Sequence, residues 1–427
     1  MNQILESLLK IVKNEFGKIQ DFRQVSKIGY RLPEVLFDNL LLFVEQYASF
    51  RQFKKSYSLA HGITKEGRIN ISSSQQKSIL DNVSPGLFRA IYKRIFNILQ
   101  RNKVLEKYVY YKDSYLLLLD GSGYYSSNKV RCSQCLVREG ENSVNYQHQV
   151  LQLFMVHPKQ KVIVPLMPEE ISNQDGSNKQ DCEINAAKRA LRLLKQDHPK
   201  LKTILVGDDL YSNQPMIEQV LSLKMHFIFV AKPGNHKSMF EDIEGLKSIG
   251  GIEISIIKEG CYSHCYEWVN NIALNGKEHA KAVNYFSYVC NKDGAEVYKN
   301  SWVTDFVVNK RNVKLLAGAG RSRWKCENEG FNNLKNQGYH IDHNYGHGAK
   351  HLAFNNYILN LLSFFIHKFC ELKDKLFKKC HDKLGNEALV WQKVRDYAEV
   401  MIFDSFDRIF EFIANPVPLY SGIPPPC

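Results

Sequence analysis

From Leu32 onward the chain reads "LPEVLFDNLLLFVEQYASFRQFKKSY", with apolar residues recurring every third and fourth position. That is the period of a helix with one buried face. "SPGLFRAIYKRIFNILQRNKVLEKY" repeats the pattern, with Ser84-Pro85 at a helix start. "HGITKEGRINISSSQQKS" between them carries no period and predicts a polar connector. Residues 1–110 are therefore expected to be helical.

The pattern then changes to short apolar runs. "SYLLLLDGSG", "NYQHQVLQLFMVHP" and "KVIVPLMPEEI" predict three strands, the first ending at Asp120. "DCEINAAKRALRLLKQDHP" predicts an amphipathic helix with positions 184, 187, 190, 191 and 194 on one face. "KTILVGDDLYS" predicts a strand ending at Asp208-Asp209, followed by a helix over 213–223 and a strand in "HFIFVAKPG". A meander extended in parallel through helical crossovers fits this order. Residues 251–316 hold four further β-like runs, read as an inserted antiparallel sheet. Helix returns in "RWKCENEGFNNLKNQ" and from about 351 to 413. The expected organisation is a helical region (1–110), the first part of an α/β core (111–250), a β insertion (251–316), a core helix (317–370) and a helical C-terminal region (371–427).

Charge sharpens this picture. The net charge is +13, and residues 1–110 hold 18 basic against 9 acidic side chains, an excess of +9. A basic region of this kind suits a polyanion such as nucleic acid, or a merely solubilising surface. No leader-like apolar segment opens the sequence, and "YILNLLSFFIHKF" is too short to span a bilayer. No membrane association is expected. Ten scattered cysteines read as reduced thiols, which predicts a cytosol or nucleoplasm; with no Lys/Arg block resembling a nuclear-import signal, the expected location is cytoplasmic, prokaryotic and nucleoid-associated.

Candidate chemistry lies in the acids. Asp120 and Asp208 close apolar strands, at the edge where active sites of α/β sheets collect. An Asp there also serves simply as a turn former or helix cap. If the two strands are neighbours, the carboxylates converge. A glutamate from a helix packed across the sheet would complete an oxygen-only ligand set suited to Mg²⁺ or Mn²⁺.

"LLLLDGSG", "ILVGDDLYSN" and "RSRWKCENEGFNNLK" together resemble the DDE transposases of bacterial insertion sequences. The resemblance is to the subgroup with a Tyr-Arg-Glu-Lys signature and a β-strand insertion in a ribonuclease-H-like core. It runs from about 115 to 370 and implies a Mg²⁺-dependent enzyme (Mn²⁺ as an alternative) that cuts transposon ends and joins them to target DNA. It implies double-stranded DNA as partner, at terminal inverted repeats and at the target, with a dimer in the DNA complex. Matched residue by residue, it implies Asp120, Asp208 and Glu327 as catalytic metal ligands. Tyr211, two residues beyond the Asp pair, selects Asp208 over Asp209, and "RWKCE" selects Glu327 over Glu329. Glu329 is then a solvated helix charge or a residue on the phosphate side. Arg323 and Lys335 are expected at DNA phosphates and Trp268 under a flipped base, with Trp302 in the core. Gly320 stands where the signature has tyrosine, and Lys335 lies one residue beyond the signature lysine. A nuclease without strand transfer and a non-cutting DNA-binding derivative share the same acids.

Other groupings are weaker. Cys132 and Cys135 have zinc-knuckle spacing but need two more ligands. His148, Cys182 and the Cys261, His264, Cys265 group are at unusual distances, so structural zinc is disfavoured. His340, His343, His347 and His351 sit among glycines and read as structural or phosphate-contacting. Asp181 and Glu183 open a helix, where acids commonly cap. No nucleotide-binding loop is present.

Overall fold

The computed structural model describes residues 4–56, 69–141, 143–172, 180–401 and 403–416. The polar connector at 61–68 and the tail from 417 lie outside the described residues. The chain divides into two compact units: Met1–Ile95 with Asn333–Cys427, and Phe96–Asn332. The two helical ends of the sequence, read as separate regions, thus belong to one unit, which also takes residues 333–370.

The helical unit opens with α1 (Ile4–Phe16), α2 (Leu32–Val44), α3 (Phe50–Ser56) and α4 (Ser73–Asp81), and the division falls within α5 (Arg89–Arg101). Helix α4 begins inside the stretch read as a connector, because Ser72 caps it through Gln75 N–H at 3.2 Å.

The second unit is α/β, with a mixed, largely antiparallel sheet. Its elements are β1 (Val109–Tyr111), β2 (Ser114–Ser127), β3 (Leu136–Glu139), β4 (Val144–Val156), β5 (Val164–Pro165), β6 (Glu169–Ile171), α6 (Glu183–Asp197), β7 (Thr203–Gly207), α7 (Gln214–Ser222), β8 (His226–Val230), α8 (Lys237–Ser248), β9 (Glu253–Glu259), β10 (Tyr262–Ala273), β11 (Ala282–Lys292), β12 (Ala295–Thr304) and α9 (Val313–Arg321). The strand order is β3-β4-β2-β7-β8-β12-β11-β10-β9. β2, β7 and β8 are parallel neighbours, which the crossover helices α6 and α7 require. β2 has neighbours on both sides, so Leu116–Leu119 is buried throughout and reads as an unbroken apolar run.

The structure corrects three expectations here. β9–β12 do not form a separate sheet: β12 pairs with β8, Trp302 opposite Val230, so they prolong the core sheet. Asp120 does not end its strand, since β2 continues to Ser127 against β4. Helix α8 and strand β3 were not expected at all.

After α9 come a π-helical turn (Cys326–Phe331) and α10 (Asn332–Asn336). The helical unit resumes with α11 (Leu352–Lys373), α12 (Lys375–Leu384), α13 (Glu387–Val400) and α14 (Phe406–Ala414). α11 is buried along nearly its whole length and packs on α1, α2 and α4. Its inward asparagines stay satisfied: Asn355 donates to the carbonyls of Leu80 and Val83, both at 2.8 Å. Among the described residues, no helix is long and apolar enough to cross a membrane.

Candidate active site

Strand register brings the two aspartates together. β2 and β7 pair in parallel, Leu116 with Ile204 and Leu118 with Val206. Two residues further along each chain stand Asp120 and Asp208, on the same face because side chains alternate. Neighbouring strands lie about 4.8 Å apart, so two unit charges meet where the apolar runs stop.

Burial lifts the Asp120 carboxyl to about 6, the charges of Glu183 and Asp208 push the same way, and Arg323 pulls against them. The Arg323 guanidinium lies 3.9 Å from Asp120 Oδ2. Asp120 Oδ1 accepts from Gly121 N–H at 3.0 Å. Asp208 Oδ1 accepts from Leu210 N–H at 2.9 Å, so it also caps a short helical turn. The structural role and the cluster coexist in one side chain.

Glu183 is the acid that sequence reasoning set aside. It stands first in α6, whose buried Ala186, Ala187, Ala190, Leu191 and Leu194 fix the helix on the sheet. The Cys182 side chain makes no capping bond there. Glu183 turns instead toward the aspartates: a Cβ on Gly121 would stand 2.2 Å from Glu183 Oε2, an approach only glycine permits. Burial raises its carboxyl, a hydrogen bond from Tyr211 opposes that, and Asp208 raises it again. Its neighbour Asp181 is used differently, paired with Arg189 at 2.7 Å. The only sequence signal for Glu183 was the glycine after Asp120.

Tyr211, expected at DNA, is fully buried and donates its hydroxyl to Glu183 Oε1. A Cβ on Gly207 would lie 2.6 Å from the Tyr211 ring, so that glycine admits the ring. Tyr211 is therefore a positioning residue. Asp209 is engaged elsewhere: it accepts from Lys232 N–H at 2.9 Å and from the Asn235 amide.

Glu327 lies exposed on the π-helical turn. The buried Cys326 thiol beside it is raised by burial first, then by Asp120, with Arg323 opposing and Glu327 and Glu183 adding to the rise. Glu327 thus flanks the cluster, while Glu183 is the glutamate that acts directly on Asp120. The turn interrupts the regular helix expected through "RWKCENEGFNNLKNQ". Wider helical turns of this type recur at functional sites. Gly330 sits there because Phe154 lies 2.8 Å from where a Cβ would be. Glu329 is half-buried and not a solvated helix charge: both its oxygens accept from Lys325 Nζ, at 2.8 and 2.9 Å, and that ammonium also donates to the Gln160 carbonyl.

Gly320 is set by packing. A Cβ there would stand 2.5 Å from the Trp302 indole, which is fully buried in β12. Trp268 is only 4% exposed on β10, opposite Phe286, which removes it as a stacking platform. The exposed tryptophan is Trp324, at 50%, between Arg323 and Lys325. Lys335 lies on α10, in the helical unit.

The arrangement is a part-buried group of carboxylates, Asp120 on β2, Asp208 just past β7 and Glu183 at the head of α6, with the Arg323 guanidinium at its edge. Such oxygen donors fit a hard divalent cation and nothing softer. No protein-family model matches the chain, and a comparison with curated proteins finds no match.

Proposed function

We propose that the α/β unit is the catalytic core of a DNA transposase of the DDE type, ribonuclease-H-like in its strand order, cutting transposon ends and joining them to target DNA. The observation that carries this reading is that Asp120 and Asp208 stand two residues beyond the paired Leu118 and Val206 of β2 and β7, with Glu183 turned onto both. Like charges this close need a cation, and the donors are all carboxylate oxygen. Asp120, Asp208 and Glu183, with Glu327, are the residues that would hold Mg²⁺ or Mn²⁺. When bound, such a cation would supply Lewis-acid activation of water or of a 3′-hydroxyl. Arg323 draws in the scissile phosphate, and Trp324 supports the neighbouring base. The basic helical N-terminal region binds the ends, two copies meeting on paired ends.

The test is cleavage of the flanking genomic ends in Mg²⁺. Asp120→Ala and Asp208→Ala lower the rate by at least about 10³-fold with end binding kept, in line with removal of a two-metal ligand. Glu183→Gln and Glu327→Ala each cost at least about 10²-fold, the scale on which one stabilising group matters. Wild-type cutting by the Asp120→Ala protein ends the proposal.

One rival has an observation in its favour. Burial of Trp268 removes the expected platform for a flipped base, and with it a support for hairpin formation. A nuclease without strand transfer needs none. Joined donor–target products decide for transposition, and their absence beside efficient cutting decides for the nuclease.

A further inference from the structure

We propose a second metal centre, a structural zinc site held by Cys132, Cys135 and His148, at the far end of the β2–β4 pair from the acids. It does not rest on the transposase reading. β2 carries a bulge between Gly123 and Tyr125 that sets Tyr125 opposite His148 on β4. The excursion from β2 to β3 brings both cysteines against that histidine. Cys132 Sγ and Cys135 Sγ are 3.7 Å apart, and His148 Nε2 lies 3.6 Å from the first and 3.4 Å from the second.

These distances discriminate. A disulfide needs about 2.05 Å between sulfurs. A tetrahedral zinc with Zn–S about 2.3 Å and Zn–N about 2.0 Å has S–S edges of about 3.8 Å and S–N edges of about 3.5 Å. The observed triangle has that size. Two thiolates and an imidazole select zinc over Mg²⁺.

The surroundings belong to such a site as well. Cys135 and His148 are 3% and 2% exposed. The Cys132 N–H donates to Cys135 Sγ at 3.4 Å. The other ring nitrogen of His148, Nδ1, faces Glu170 Oε1 at 3.3 Å, and Tyr124 holds that same oxygen at 2.9 Å. A carboxylate behind a ligating histidine fixes which nitrogen meets the metal. The sequence discounted zinc because the partners of the CxxC pair were at unusual spacing; the β2–β4 register supplies one. Cys182, at the start of α6, and Cys261, between β9 and β10, are exposed and contribute nothing to the triangle. Along β2 the site is five residues from Asp120, about 16 Å, so it is separate from the carboxylates. A zinc held there would pin the β2–β3 excursion onto β4.

Elemental analysis of the full-length protein from zinc-replete cells tests this. About one zinc per chain is expected, the stoichiometry of one closed structural site. Cys132→Ser, Cys135→Ser and His148→Ala lose it. Cys182→Ser and Cys261→Ser keep it, and so does an Asp120→Ala, Asp208→Ala double variant. Because ligand variants of a structural site can fail to fold, cobalt replacement in the wild-type protein gives an independent reading: thiolate charge-transfer and tetrahedral visible bands are expected. Glu170→Gln weakens zinc binding by about 10–100-fold, as loss of the carboxylate behind the histidine does elsewhere. An alanine scan of the remaining histidines then finds any fourth protein ligand. Wild-type protein without zinc and without cobalt–thiolate bands, or with Cys132 joined to Cys135 as a disulfide, overturns the proposal.

Discussion

Asp81, the last residue of a helix in the helical unit, and Asp120, inside strand β2 of the α/β unit, are each only partly exposed. Their surroundings are opposite. Asp81 accepts from four successive backbone N–H groups, Ala349, Lys350, His351 and Leu352, at 2.9–3.0 Å, at the start of α11. Burial alone would raise its carboxyl, but those four bonds win and hold it below the ordinary value. Gly348 fits the turn because its φ is +71° and a Cβ would strike the Asp81 carboxylate at 2.2 Å. Asp120 accepts from one backbone N–H and has the Arg323 guanidinium 3.9 Å away, but burial and the charges of Glu183 and Asp208 outweigh these and lift it to about 6. One aspartate is matched by its own chain and serves the fold. The other is left wanting a cation, as a group kept for binding must be.

The largest effect that sharpens this contrast is on folding. Asp81→Ala strands four N–H groups at the head of a buried helix. A loss of about 3 kcal/mol in urea unfolding is expected, the scale of several charge-assisted bonds lost together. Asp120→Asn should cost nothing and, without divalent metal at pH 7, should stabilise. A destabilised Asp120→Asn protein would mean that the acid cluster is structural.

Next in size is the pH dependence. A carboxyl raised in the folded state contributes stability that is whole below its unfolded value and lost as pH rises through its folded one. For Asp120 the window runs from about 3.8 to about 6, worth about 2 kcal/mol after allowance for its partial exposure. Asp81, depressed, contributes with the opposite sign: its part is present above the ordinary carboxylate range and fades as pH falls below it. Unfolding of the wild type and the Asp120→Asn variant in EDTA should therefore diverge between pH 4 and 7, and Mg²⁺ should close the gap. Parallel curves would separate Asp120 from its neighbours' charges.

Much of this was legible before the fold. The unbroken Leu116–Leu119 run announced a central strand, and its stop at Asp120 marked the site. Four of the five positions assigned to the buried face of α6 are buried there. What stayed hidden was non-local. Nothing near Glu183 shows that its helix start meets Gly121, so an acid at N1 read as an ordinary dipole partner. The pairing of β8 with β12 joins segments some seventy residues apart, and no local period encodes it. Trp268 was placed by analogy with a stacking role, while the packing of β10 on β11 buried it. The His148 ligand was hidden because register, not spacing, sets it beside Cys132 and Cys135.

A smaller effect is expected at Tyr211, which links the sheet to Glu183. Tyr211→Phe keeps the buried ring and removes one hydrogen bond, about 1 kcal/mol by the usual net worth. Losing that donor should raise the Glu183 carboxyl further, since the bond now holds it down. The acid limb of the pH–cleavage profile should move to higher pH with little change at its plateau. An unmoved limb would show that Glu183 takes no part in the titration of the site.

The smallest effect on the fold, and the most telling for function, is expected at Trp324. It is half exposed beside Arg323, whose guanidinium lies 3.9 Å from Asp120, and the Lys325 ammonium lies 4.9 Å from its ring centroid. That ammonium is already fixed by Glu329 and Gln160, so the ring is not needed to hold it. Trp324→Ala should change stability by no more than about 0.5 kcal/mol, as for most surface positions. Trp268→Ala, emptying a packed site, should cost about 3–5 kcal/mol. On DNA the order reverses. A base stacked on an exposed indole is worth about 1–3 kcal/mol, so Trp324→Ala should weaken end binding or slow second-strand processing by roughly 5- to 150-fold. An abasic nucleotide opposite the ring should restore part of the rate, because it removes the unstacking cost that the ring offsets. If Trp324→Ala leaves DNA processing unchanged, the open side of the Asp120 cluster does not face the bases, and substrate must approach the carboxylates from the β7 side.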